Sequence, residues 1–424
     1  MRGNAAWLPR LDGMRATPSF RRRGLALLSA AAIALPLTTA VATPARADDV
    51  VSIGIPDWSG LNVTDYAGPI PAKAGTLMAQ VPLSPSLTLP AASTAYRVQF
   101  SSENQHGKMA TSTGAVFLPK GKAPKGGWPV ISWAHGTVGM DDECTPSAHP
   151  RSERDVTYLG HWLDQGYAVV AADYVGLGTP GVMAYLNGKT AAHSIVDITV
   201  AAQQLQLPAD ARLAKRWAII GQSQGAAAAL NGARYATEFS RGRGLDYRGV
   251  VATGIPANLE NLYQLMGPAV PPVALPGSLN AYTAYILAGL NNTRPDLKLT
   301  RVMTPTGKKR LAQGLSTCYP ILKKELAGDD VKTWFNAPLM SIPGLSTAMR
   351  QYMLTPYRGY DRPIFLGQGL RDVDVPAPSA LSLYAQMKAN NQPVTLHVYP
   401  EDDHSSAVLA SMPDSTPWLA RILR

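Results

Sequence analysis

Ser223 stands in Gly221-Gln222-Ser223-Gln224-Gly225, with the apolar run Trp217-Ala218-Ile219-Ile220 before it and the small residues Ala226 to Ala229 after it. The pentapeptide fits G-x-S-x-G, in which glycines two residues to either side leave room for a strained turn that lifts a serine hydroxyl above a sheet. A strand, a sharp turn and a helix are expected in that order. The helix N-terminus would aim backbone amides at developing negative charge. The bland alternative is a glycine-rich turn carrying an inert serine.

A serine hydroxyl is a poor nucleophile near neutral pH, so a base must lie within hydrogen-bond reach, and on a strand-turn-helix nucleophile the partners follow in the order acid, then His. Of the seven histidines, two stand late enough in a suitable setting. His397 falls inside the alternating run Val394 to Tyr399 and is expected on a sheet face, whereas His404 follows in the polar loop Glu401-Asp402-Asp403-His404-Ser405-Ser406. His404 is therefore the expected base. The acid is expected at the end of the preceding strand, where Gly369-Leu370-Arg371-Asp372-Val373-Asp374-Val375-Pro376 offers Asp372, with Asp374 as the alternative or as the cap of a helix starting near Pro376. A carboxylate there holds the imidazole in one tautomer. The oxyanion of an attacked carbonyl needs two donors. The amide of Gln224 is the first, and Thr137, in His135-Gly136-Thr137 after Trp133, is expected to supply the second through its amide, alone or together with its hydroxyl. Asp173, in Asp173-Tyr174-Val175-Gly176-Leu177-Gly178, lacks the lysine of a phosphate loop and is read as a structural residue bonding neighbouring backbone.

These residues need a sheet to hold them. From Thr94 onward, β-like runs alternate with helical stretches, the pattern of an α/β fold with a mostly parallel central sheet and helices on both faces. Tyr96–Phe100 and Ala115–Leu118 read as an opening antiparallel pair, and Tyr167–Ala172 as a strand buried on both faces. After Gly249–Gly254 the next strand-like run, Pro363–Gly367, comes more than a hundred residues later, too long for an ordinary connection. Residues 259–360 are read as an inserted helical cap, with helices around Leu279–Leu290, Lys308–Leu315 and Asp329–Phe335, and residues 94–258 and 361–424 as the core. Residues 48–93 are Pro-rich and read as an N-terminal extension.

The chain has 424 residues, 46% hydrophobic and 16% charged, enough apolar material for a large core and a second, smaller module. Arg21-Arg22-Arg23, the apolar run Gly24 to Ala42 and Ala45-Arg46-Ala47 read as an export signal over residues 1–47, cleaved after Ala47, with a retained anchor as the alternative. Met14 is an alternative start, and the paired arginines permit either export route. Residues 1–47 hold seven arginines and one aspartate, so their loss brings the formal charge from +10 to +4, which gives nucleic-acid binding little support. An exported chain with two cysteines favours one Cys144–Cys318 disulfide over two free thiols, and no Cys or His pair has metal-ligand spacing. No cofactor is called for.

Together, Trp133-Ala134-His135-Gly136-Thr137, Cys144-Thr145-Pro146-Ser147, Asp173 to Gly178, the serine pentapeptide and the Asp372 and His404 segments resemble the secretory lipase family of α/β-hydrolases. The resemblance spans about residues 94 to 410 and implies a triad on Ser223, Asp372 and His404, an inserted helical lid, and activity on acyl esters including triacylglycerols. Gln222 stands where relatives often carry His, and Ala226 where they often carry Gly, which leaves acyl-chain preference open. The expected activity is a secreted serine carboxylic-ester hydrolase, a lipase or esterase working through an acyl-enzyme, with its cap offering contact to a lipid–water interface. Acyltransferase and serine peptidase chemistry use the same machinery, and a non-catalytic binding protein would typically have lost one of the three residues.

Overall fold

The computed structural model describes residues 53–269 and 275–424; the expected export signal lies outside them. Nine strands form one sheet: β1 (Leu77–Pro82), β2 (Ala92–Glu103), β3 (Met109–Pro119), β4 (Trp128–Ala134), β5 (Ala168–Ala172), β6 (Leu213–Gln222), β7 (Asp246–Thr253), β8 (Ile364–Gly369) and β9 (Val394–Tyr399). Their order is β1-β2-β3-β5-β4-β6-β7-β8-β9. The pairs from β1 to β5 through β3 are antiparallel, and every pair from β5 across β4 to β9 is parallel. Parallel strands need helical crossovers that cover both faces, which is why β5, Ala-Val-Val-Ala-Ala, is buried along its whole length.

Alternate side chains of the strands feed two apolar layers. Ile131, Trp133, Ala218 and Ile220 meet Tyr158, Leu159 and Trp162 of α1 (Glu153–Asp164) and Trp418 of the C-terminal helix on one face. Val130, Ala134 and Ile219 meet α2 (Gly188–Ala202) and α3 (Gln224–Phe239) on the other. β4 thus sends its crossover along one face and β6 along the opposite face. Between their C-terminal ends this leaves the crevice where open α/β sheets place their chemistry.

Between β7 and β8 the chain forms α4 (Leu259–Tyr263), α5 (Gly277–Thr293), α6 (Pro305–Ser316), α7 (Tyr319–Glu325) and α8 (Leu345–Met353), and adds no strand to the sheet among the described residues. α5 is buried from Asn280 to Leu290 on nearly every side, as a helix wrapped by its neighbours must be. Its residues belong to the same apolar layer as α2 and α3, so the insertion shares the core. The Cys144–Cys318 disulfide joins it to the loop after β4, and Tyr319 N–H donates to the Val138 carbonyl beside that bond at 2.8 Å.

Residues 48–93, read as an N-terminal extension low in periodicity and packed on the core or cap, also supply a strand that the sequence did not reveal: Leu77–Pro82 forms β1 at the sheet edge, and Leu83, Leu87 and Leu89 enter the core. Its six residues, all but one half-buried, carry too weak an alternation to stand out in sequence. One expectation is corrected: over 329–335 only a 3-10 turn, Val331–Trp334, forms, because Met303 and Phe335 pair as an extended bridge that pulls the chain out of helix.

The disulfide closes a loop with a sequence separation of 174, and chain-entropy reasoning gives such a cross-link about 2–5 kcal/mol of stability. Guanidinium unfolding with and without reductant is expected to show that loss as a lower midpoint; coincident curves would mean that the reduced chain is equally stable.

Candidate active site

Ser223 ends β6 and opens α3 with φ 60° and ψ −127°, a strained conformation for a residue with a side chain. The flanking glycines are demanded by contact. A Cβ on Gly221 would lie 2.1 Å from the Gly225 carbonyl oxygen, and one on Gly225 would lie 1.9 Å from that of Ala134. The turn therefore closes only if both positions carry no side chain, and Gly225 presses the start of α3 against the end of β4. The Ser223 amide donates to the Thr253 carbonyl at the end of β7 at 3.0 Å, which ties the turn to the next strand as well.

Asp372 follows β8 and His404 follows β9. His404 Nδ1 lies 2.6 Å from Asp372 Oδ2, and against a carboxylate it is the N–H that donates. The carboxylate is held on all sides: Oδ1 accepts from the amides of Asp374 (3.0 Å) and Val375 (2.7 Å), and Oδ2 also from Gln368 Nε2 (3.3 Å). With Nδ1 occupied, Nε2 is the ring atom left to take a proton. Among the described residues neither His404 Nε2 nor the Ser223 hydroxyl has a hydrogen-bond partner. Two contacts set the imidazole beside the serine turn. Gln222 Nε2 donates to the His404 carbonyl at 3.1 Å. Gly254, in a left-handed conformation one residue beyond Thr253, lies so close that a Cβ there would stand 3.0 Å from His404 Nδ1.

His135-Gly136-Thr137 leaves β4 next to this group, where a Cβ on Gly136 would lie 3.7 Å from Ser223 Cβ. His135 is buried and braces the loop. Its Nδ1 is 2.7 Å from the Gly136 carbonyl, its ring lies on Tyr174, and the Tyr174 hydroxyl donates to its carbonyl at 3.1 Å. Burial pushes the His135 pKa below the usual 6.5. Thr137 Oγ1 lies 2.6 Å from the Tyr185 hydroxyl. Gln224 is buried in the first turn of α3, its amide at the helix N-terminus.

The remaining candidates lie elsewhere or act structurally. His397 sits on β9, stacked on Phe365, with Asp414 3.5 Å away. Asp374 caps no helix: α9 (Pro378–Ala389) begins beyond it with Ala377 as its N-cap, and the Asp374 carboxylate lies 3.5 Å from the Tyr282 hydroxyl. Asp173 is fully buried and accepts from Thr113 Oγ1 (2.8 Å) and the Ser147 amide (2.9 Å), with Arg97 alongside. Gln368, Tyr174 and Tyr185 were not singled out from sequence; a lone amide or phenol inside an apolar run carries no spacing signal. Among the described residues no cluster of His, Cys, Asp and Glu is suited to a metal, and no helix is long and apolar enough to cross a membrane.

The sequence pattern of the family described as Secretory lipase matches residues 151–423. Among solved structures, the chain is similar to Candida antarctica lipase A in its closed state, with TM-score 0.67 and 17% identity over 84% of this chain and 86% of that one. It is also similar to the rice cell wall degrading esterase LipA from Xanthomonas oryzae, with TM-score 0.66 and 18% identity over 83% of this chain and 99% of that one. A comparison with curated proteins gave no significant match.

A buried neutral imidazole gives a signed pH dependence. The unfolded chain protonates His135 near pH 6.5 whereas the folded chain does so only at lower pH, so the stability it contributes is full above about 6.5 and is lost as the pH falls below it. His161, also held down by burial, adds in the same direction. Between pH 7 and 5 the melting temperature is expected to fall more steeply in the wild type than in His135→Asn, whose amide keeps a donor for the Gly136 carbonyl. Equal slopes would show that His135 contributes no such dependence.

Proposed function

The chain belongs to the secretory lipase family, whose members are ester hydrolases, and from that premise we propose that it is a secreted serine carboxylic-ester hydrolase, a lipase or esterase, with Ser223, His404 and Asp372 as its triad. The observation that carries this reading is the 2.6 Å hydrogen bond between His404 and Asp372 beside the strained Ser223 turn. His404 Nε2 takes the Ser223 proton as Oγ attacks the ester carbonyl, and Asp372 holds the ring and stabilises the imidazolium. The oxyanion is met by the amides of Gln224 and Thr137, each such donor contributing on the order of 10²–10³-fold in rate. Collapse expels the alcohol with the proton from His404, and water repeats the sequence to free the acid and Ser223. No metal or organic cofactor enters these steps.

Residues 259–360 act as a cap over the core, residues 94–258 and 361–424. Their content of Leu, Met, Tyr and Pro supports an apolar acyl chain as substrate. Leu262, Leu265 and Met340 on the cap and Val373 beside Asp372 are exposed, which supports contact with a lipid–water interface. Residues 1–47 direct export and are removed after Ala47, consistent with the family and with a disulfide that requires an oxidising compartment.

Hydrolysis of p-nitrophenyl esters from acetate to palmitate tests this reading. Ser223→Ala and His404→Ala are expected to lower kcat by about 10⁴-fold or more and Asp372→Asn by about 10³–10⁴-fold. A wild-type optimum at long chains makes the enzyme a lipase and one at short chains an esterase. Wild-type rates in Ser223→Ala would refute the assignment.

A further inference from the structure

Tyr185 lies in the segment between β5 and α2, with Leu186 after it in a left-handed conformation (φ 61°) and Asn187 capping α2 through the Thr190 amide. It is buried, and most of what holds it comes from the insertion. Its ring packs on Tyr285 of α5 with centroids 5.3 Å apart. Its carbonyl accepts from the Tyr352 hydroxyl of α8 at 2.7 Å, and its amide lies against Gly289 so closely that a Cβ there would be 3.0 Å away. A phenol anchored so firmly points its oxygen in one direction. Among the described residues that oxygen has a single hydrogen-bond partner, Thr137 Oγ1, at 2.6 Å.

The two hydroxyls bring two protons to a bond that uses one. A phenol is a much stronger acid than an aliphatic alcohol, so the Tyr185 O–H donates and Thr137 Oγ1 accepts. The Thr137 proton is left free and is turned away from Tyr185. Accepting a hydrogen bond also polarises Thr137 as a donor. Thr137 follows Gly136, where an added Cβ would lie 3.7 Å from Ser223 Cβ. We propose that Tyr185 is a positioning residue that orients the Thr137 hydroxyl as a third oxyanion donor, beyond the amides of Gln224 and Thr137. This rests on the reading of Ser223 as nucleophile and of the Thr137 loop as part of the oxyanion site. It also makes the insertion, through Tyr285, Gly289 and Tyr352, part of what sets the rate of acyl transfer.

The test measures kcat and KM on a short-chain p-nitrophenyl ester with the mature protein, together with affinity for an alkyl boronic acid, which forms a tetrahedral adduct on a nucleophilic serine. Thr137→Val keeps the amide and removes the hydroxyl; it is expected to lower kcat and boronate affinity by about 10²-fold with KM little changed, while Thr137→Ser, which restores a hydroxyl, is expected to recover most of that loss. Tyr185→Phe is expected to lower kcat by about 10-fold, and Tyr185→Phe with Thr137→Val to be no slower than Thr137→Val alone. A Tyr185→Phe enzyme at wild-type kcat, or a double variant whose losses multiply, overturns the proposal. Should Tyr185→Phe fail to fold, the Thr137 pair decides: a slow Val variant whose loss Thr137→Ser largely restores supports the hydroxyl's role, and a fast Val variant overturns it. If Ser223→Ala is inactive while Thr137→Val is unimpaired, this inference alone falls; if Ser223→Ala is active, the underlying reading falls with it.

Discussion

The contact on which the rest depends is between backbones. Gly225 lies against the Ala134 carbonyl and Gly221 against the Gly225 carbonyl, so the end of β4, the end of β6 and the first turn of α3 meet with no side chain between them. That approach holds Ser223 in its strained conformation and brings the Gln224 amide and the Thr137 loop to the same crevice. The cost of the strain is carried by the ladder around it, since β6 is paired on both sides and the Ser223 amide itself bonds to β7.

Around this contact the polar groups form a chain of supports. Asp372 is held by two backbone amides and Gln368, His404 by Asp372 and through its carbonyl by Gln222, and the His135 loop by Tyr174. These supports come from the ends of three strands, β5, β6 and β8. A side chain displaced by a fraction of an ångström would therefore disturb its neighbours, so the group moves together or not at all.

What the sequence revealed follows from how local the determinants are. The serine turn and the alternating and fully apolar strands are written in contiguous residues, and the strands lie within a few residues of their expected places. β1 was not legible because an edge strand buries little and alternates weakly. α8 was missed because it is short and starts from Gly344 in a left-handed conformation. Likewise Gln368 and Tyr185 gain their places from partners far off in sequence. Tyr185 meets Thr137 only because the sheet and insertion fold around both, a tertiary fact with no periodicity to betray it.

The disulfide has a topological consequence beyond stability. Cys144 and Cys318 close a covalent ring that contains β5, β6, β7, the serine turn and the first half of the insertion. A protease that cuts once anywhere inside this ring turns one chain into two but frees neither, because the fragments stay joined through sulfur. The segment bearing Ser223 then remains tied to the segment bearing Asp372 and His404, and a nicked molecule can keep its parts at intramolecular concentration. Only a cut followed by reduction separates them.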